Sequence, residues 1–334
     1  MKGPAYYRVL SIDGGGIRGV IPALVLAEIE HRTGKPICQL FDLIAGTSTG
    51  GILALGFTRP SPWQIRDKQP RVPFYAAKDL VELYMERGKH LFQKGWKARI
   101  PLLGNLFEEK YLSGAIYAQL DRYFETTWLR EAVTEVLITG YEIRTCVPWF
   151  FSSRKAKVDS GHDFLMRDVA RATSAAPTFF EPHTLLDVFG KRSHLVDGGI
   201  FANNPAMCAY VAALNQRPML FPLPPIYLVS LGTGQATESI SPKKAKTWGL
   251  AGWARHILTM SFDGVSDTVD YQLKTLVGAN HYHRMQITLP SKQLAMDNVD
   301  ASNLKALHRL TTEWLAQEKQ QEALDIICSR VGAR

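Results

Sequence analysis

Twice before residue 60 the chain runs apolar, breaks at glycines and resumes with helical periodicity. The first break is "DGGGIRG", Asp13 to Gly19. It follows a strand-like run from Tyr6 to Ile12 and precedes a helix over Gly19 to Thr33, whose Ile21, Val25 and Ile29 recur every four residues before Gly34 ends it. The second is "GTSTG", Gly46 to Gly50, between the strand-like Leu40 to Gly46 and a helix over Thr49 to Phe57. Repeated strand, glycine turn and helix units predict parallel strands with helices packed on them, an α/β chain whose chemistry sits at the carboxyl ends of the strands.

Two chemistries fit the first loop. Gly14, Gly16 and Gly19 spell GxGxxG, the dinucleotide fingerprint, and Asp42 stands at roughly the spacing at which an acidic residue would bind a ribose. The same backbone fits an oxyanion hole, with Gly14, Gly15 and Gly16 offering N–H groups at a helix N-terminus and no side chain in a substrate's way. Arg18 either draws an anionic substrate or braces the loop.

The second turn weighs toward hydrolysis. Ser48 lies between Gly46 and Gly50 in a GxSxG arrangement at a strand-to-helix junction, where a sharp turn presents a nucleophile. A serine needs a base. None of the nine histidines has a special local setting, whereas in "HLVDGGIFANNPA" Asp197 ends a short apolar strand and is freed by Gly198 and Gly199 to sit in a tight turn. A carboxylate serves as base to an alcohol only where it is dry, so a buried Asp197 with a raised pKa is expected.

In that order, DGGGIRG, GTSTG and DGG, with "ATSAAPTFF" (Ala172 to Phe180), "ANNPA" and "LVSLGTG" (Leu228 to Gly234) beside them, the chain resembles the patatin-like phospholipases. The resemblance implies a three-layer α/β/α fold with a mostly parallel central sheet. It also implies a lipid acyl hydrolase without metal or other cofactor, with Ser48 as nucleophile, Asp197 as base, Gly14, Gly15 and Gly16 as oxyanion hole, and Arg18, Gly46, Gly50, Gly198 and Gly199 in support. The substrate would be membrane phospholipid. Some bacterial members of the family are antiphage effectors switched on by cyclic nucleotides, so a cyclic di- or trinucleotide activator and an oligomer are further expectations.

The remaining sequence sets bounds. Residues 1–235 carry the motifs and read as the catalytic domain; residues 236–334 read as a largely helical region packed on it, with Leu304, Leu307, Leu310 and Trp314 at helical spacing and "HYHRMQITL" as one more strand. Further helices are expected at Ala76 to Arg87 and Ser113 to Phe124, further strands at Glu135 to Ile143 and Ile226 to Leu231, and a proline-rich surface loop at Arg59 to Pro73. A formal charge of +8 favours anionic partners, read here as a membrane surface or nucleotide rather than nucleic acid. Arg59 to Pro73 and the basic, aromatic Arg87 to Arg99 are candidates for a lid or membrane contact; Ser241 to Arg255 mixes base and tryptophan similarly. Four scattered cysteines and no secretory or transmembrane segment predict a cytoplasmic protein acting at the inner face of the cell membrane.

Overall fold

A computed structural model describes residues 6–62, 72–91, 113–216, 224–236, 245–247 and 249–332. Its strands are β1 (Tyr7–Ile12), β2 (Leu43–Gly46), β3 (Glu135–Glu142), β4 (Val147–Ser152), β5 (His183–Leu186), β6 (Arg192–Asp197), β7 (Ile226–Leu231), β8 (Gln235–Ala236), β9 (Tyr282–Met285) and β10 (Thr288–Leu289). β9, β7, β1, β2 and β3 lie side by side and parallel, while β4, β5 and β6 join antiparallel at the β3 side.

Strand alternation divides the core into two layers. Leu10 and Ile12 of β1, with Ile44, Ile138 and Val229, face the helices Val20–Thr33 and Thr49–Thr58. Tyr7 and Val9, with Leu43, Ala45 and Leu228, face the opposite way onto Ala206, Ala209 and Ala213 of the helix Ala206–Gln216 and Leu273 of the helix Gly249–Val277. Both faces of the sheet are therefore covered, giving the expected α/β/α layers. Ile21, Val25 and Ile29 of the first helix are buried as their spacing required, each contributing about 1.5–3 kcal/mol. Gly34 ends that helix in the left-handed region, its N–H bonded to the Glu30 carbonyl.

Several boundaries differ from expectation. β2 begins three residues later than Leu40, because Ile37–Leu40 forms a helical turn behind Pro36. The run His281 to Leu289 splits in two: β9 continues the main sheet, whereas β10 pairs with β8. Between them the Gln286 side chain accepts a hydrogen bond from Gly234 N–H at 2.9 Å. Strands β4 and β5 carried no sequence signal. The ends of the proline-rich segment are drawn together by a Pro60–Pro73 bridge; residues 63–71 of that segment, 92–99 of the basic candidate and 241–244 and 248 of the tryptophan-rich one lie outside the described residues. The helices Ala301–Leu315 and Glu318–Gly332 pack on Val20–Thr33. No described helix is long and apolar enough to cross a membrane.

One arrangement positions the site. β2 pairs with β3 over residues 135–138 and β6 pairs with β3 over residues 140–142. β4 pairs across 137–142, overlapping both, so it takes one edge of β3 and leaves β2 and β6 on the other. Two strands of opposite direction thus meet end to end along a single edge. Gly46 lies opposite Ile138 and Asp197 opposite Gly140, so the turn that leaves β2 is delivered to the residue that closes β6.

Candidate active site

Ser48 caps the helix Thr49–Thr58 with φ 55° and ψ −122°, a conformation that a side chain rarely adopts. Its neighbours explain how it is held there. A Cβ on Gly46 would stand 2.2 Å from the Gly50 carbonyl oxygen, and one on Gly50 would stand 2.1 Å from that of Ile12, so only glycine lets the turn close against β1. Thr173, on the helix Met166–Thr173, accepts the Ser48 N–H at 2.8 Å. The helix that follows is buried along its whole length, while Ser48 itself is half-buried.

Asp197 is buried and sits at the end of β6. Its N–H donates to the Ala175 carbonyl at 3.0 Å, and its Oδ1 accepts the Gly199 N–H at 2.7 Å. The Ser48 hydroxyl lies near enough to the same carboxylate to favour its ionised form. Burial pushes the Asp197 pKa up to about 7, against the opposing pull of the Ser48 hydroxyl and the Gly199 N–H. Gly198 allows the approach, since a Cβ there would be 2.1 Å from Thr139 Oγ1.

The glycine loop lies against the serine: a Cβ on Gly14 would come 3.3 Å from that of Ser48. The expectation of three donors is corrected for one of them. Gly14 N–H is spent on the Asn203 carbonyl at 2.9 Å, while Gly15 and Gly16 N–H have no partner among the described residues. Thr233 Oγ1 donates to the Gly14 carbonyl at 2.7 Å, and Ile17 N–H donates to the Met296 carbonyl at 2.8 Å. Arg18 is buried beneath the loop, with Nη1 on the Gly234 carbonyl at 3.1 Å and Nε near that of Gly15 at 3.5 Å. Burial lowers its pKa to about 10. Of its two expected roles, the structure supports the brace.

Asp13, one residue before the glycines, is also buried. Arg284 of β9 grips it twice, at 3.0 and 2.6 Å, and also donates to Ser230 Oγ at 2.8 Å, while Ser266 Oγ donates to Asp13 at 3.2 Å. Burial raises the Asp13 pKa and the Arg284 guanidinium opposes the rise. A bare carboxylate here would oppose any negative charge forming at the loop, and Arg284 neutralises it.

Thr173, Asn203, Thr233, Arg284 and Met296 had no assigned role in the sequence. The first three fall inside stretches that carry the family resemblance, and neither Arg284 nor Met296 belongs to a motif. The dinucleotide geometry fails on position: the Asp42 carboxylate accepts the Arg8 N–H at 2.8 Å, at the amino end of the sheet, five residues and about 15 Å from the glycine loop.

Comparison with known proteins decides the assignment. Residues 10–210 match the family model of the patatin-like phospholipases. The chain belongs to the patatin-like phospholipase family. It is 33% identical to patatin-like protein 2 of Arabidopsis thaliana, covering 96% of this chain and 86% of the relative, and 30% identical to patatin-T5 of Solanum tuberosum, covering 94% and 85%. Among solved structures, VipD of Legionella pneumophila overlaps 93% of the chain and 67% of its own, at 12% identity and a TM-score of 0.34, too low to bear on the fold. Lipid acyl hydrolysis, a carboxylic ester hydrolase activity, comes with membership of the patatin-like family.

Two outcomes follow from the strain and the ion pair. Ser48→Gly is expected to raise unfolding stability by about 1 kcal/mol in a denaturant titration, because glycine accepts the turn without strain. Arg284→Met is expected to cost about 3–5 kcal/mol by leaving a buried carboxylate unpaired. Adding Asp13→Asn should recover much of that loss, and a double variant no more stable than Arg284→Met alone would refute the electrostatic account.

Proposed function

We propose that the protein releases fatty acid from membrane phospholipids by means of a Ser48–Asp197 dyad. The observation that carries this reading is the register on β3, where the turn holding Ser48 leaves β2 opposite Ile138 and a buried carboxylate, Asp197, closes β6 opposite Gly140.

In the proposed reaction, Ser48 Oγ attacks the ester carbonyl as its proton passes to Asp197. The carbonyl oxygen takes up negative charge facing the N–H groups of Gly15 and Gly16, which lead into the helix Val20–Thr33. As the tetrahedral species collapses, the C–O bond to the lysolipid breaks and Asp197 returns the proton to the departing alkoxide. A water then gives a proton to Asp197, attacks the acyl-serine and frees the fatty acid, and the proton goes back to Ser48. Arg18 keeps the loop in shape, Gly46 and Gly50 let Ser48 turn, and Gly198 and Gly199 seat the base. Four free thiols, Cys38, Cys146, Cys208 and Cys328, favour the reducing, inner face of the cell membrane as the place of action. A panel of cyclic di- and trinucleotides added to the fatty-acid release assay tests for an activator.

Fatty-acid release from phospholipid vesicles should fall at least about a thousandfold in Ser48→Ala and in Asp197→Asn. Retained release in Asp197→Ala, with loss in one histidine variant, would overturn the dyad. Because the base must be ionised and its pKa is raised to about 7, kcat/KM should climb tenfold per pH unit below that value and level off above it.

The same shift acts on stability. The folded pKa exceeds the unfolded one, so the stability linked to Asp197 is full at low pH and is lost as pH rises toward about 7. Asp197→Asn should therefore raise Tm more at pH 8 than at pH 5.

A further inference from the structure

The hairpin that carries Asp197 extends in the other direction to an exposed tip. β6 runs antiparallel to β3 with Leu195 opposite Glu142, the last residue of β3. Arg192 and the turn before it therefore lie beyond the carboxyl edge of the sheet, the edge at which β1 and β2 deliver the glycine loop and Ser48.

The chemistry of this turn is complete without its apolar residues. Leu186 pairs with Arg192; Asp187 N–H donates to the Lys191 carbonyl at 3.1 Å, and Gly190 N–H donates to the Asp187 carbonyl at 3.0 Å. The Asp187 carboxylate accepts the N–H groups of Phe189 and Lys191, both at 2.9 Å, and Gly190 supplies the φ of 82° that the last position needs. The backbone bonds of the turn do not call for Val188 and Phe189, at positions where polar residues are usual, and Phe189 touches the body of the protein with one ring edge, at Gly161. They are nevertheless 54% and 77% exposed, with Leu186 at 61%. Ile143 and Val147, at the β3–β4 turn on the same edge, are exposed as well.

Lys191 and Arg192 flank the tip and Arg144 lies on the neighbouring turn, all three exposed. The acidic residue of the tip, Asp187, turns its carboxylate onto the two turn N–H groups. Apolar residues at a projecting point with cations behind them match a bilayer, where side chains enter the acyl region and bases meet anionic headgroups. A protein partner fits less well, because a stable interface needs about 1,000 Å² or more of complementary surface and this one is a point.

We infer that the Leu186–Phe189 tip inserts into an anionic lipid surface and brings the carboxyl edge of the sheet, with Ser48 and Asp197, down onto it. This surface serves the lipid acyl hydrolase reading and rests on it for its purpose. The tip's insertion makes membrane engagement a property of the catalytic hairpin itself, independent of the basic segments singled out in the sequence.

The test uses the full chain and vesicles of diether phosphatidylcholine with a minor fraction of diether phosphatidylglycerol, which bind but resist ester hydrolysis. Val188→Ser with Phe189→Ser should leave Tm nearly unchanged, because both residues are more than half exposed and only the edge of the Phe189 ring meets Gly161. The double variant should weaken vesicle sedimentation by about tenfold or more. Release from ester-linked vesicles should fall in parallel, while turnover of a short-chain monomeric ester stays at the wild-type level. Lys191→Glu with Arg192→Glu should weaken binding to the mixed vesicles more than to pure phosphatidylcholine. Unchanged sedimentation of the serine variant would overturn the proposal, as would an altered oligomeric state in the absence of lipid with vesicle binding intact, which would assign the tip to a second copy. Tip-dependent binding without hydrolysis of any ester by the wild type would support the surface and overturn the hydrolase reading instead.

Discussion

The structure depends on β3 having two strands on one edge. Had β2 continued past Gly46, or had β6 begun pairing one residue lower on β3, the ends would collide and Ser48 would have no carboxylate beside it. Instead β2 stops opposite Ile138 and β6 stops opposite Gly140. The gap is filled by tight glycine turns. The glycines on either side of Ser48 and after Asp197 answer this steric requirement, as the contacts a Cβ would make at Gly46, Gly50 and Gly198 show.

The price of that closeness is a set of buried charges, and the fold treats them differently. Asp13 is given two bonds from Arg284 and one from the Ser266 hydroxyl, which oppose the rise that burial imposes on its pKa. Arg18 is given backbone carbonyls. Asp197 is given only a hydroxyl and one N–H, too little to offset desolvation, and its affinity for a proton rises accordingly. A carboxylate left short of partners is what a base for serine requires; the neighbouring carboxylate is tied to Arg284 and keeps the loop in place. Arg284 and Met296, both beyond residue 235, secure the glycine loop from the far end of the chain, so the segment without motifs is part of the site's frame.

The legible part of this in the sequence was local. Strand β1, the first helix with its Gly34 stop, and the helix after Ser48 followed from periodicity and glycine placement. Ser48 and Asp197 stood out through the combination of the three glycine motifs, each of which alone is an ordinary turn. What escaped depends on pairing across long separations. β4 and β5 are short antiparallel strands, largely exposed, with no clean alternation, and nothing in "HYHRMQITL" marks Arg284 as the partner of a residue 271 positions earlier. The Gly14 donor was misjudged for the same reason: its N–H is taken by the Asn203 carbonyl, and a backbone acceptor leaves no mark in a sequence.

The central claim is that Asp197 is a dry carboxylate whose partner is Ser48. A carbon-13 NMR titration of the Asp197 carboxyl tests it without any substrate. The account predicts a midpoint of about 7, moving further up in Ser48→Ala, because the serine's hydroxyl favours the ionised form. A midpoint in the ordinary carboxylate range, or one indifferent to Ser48, would contradict it.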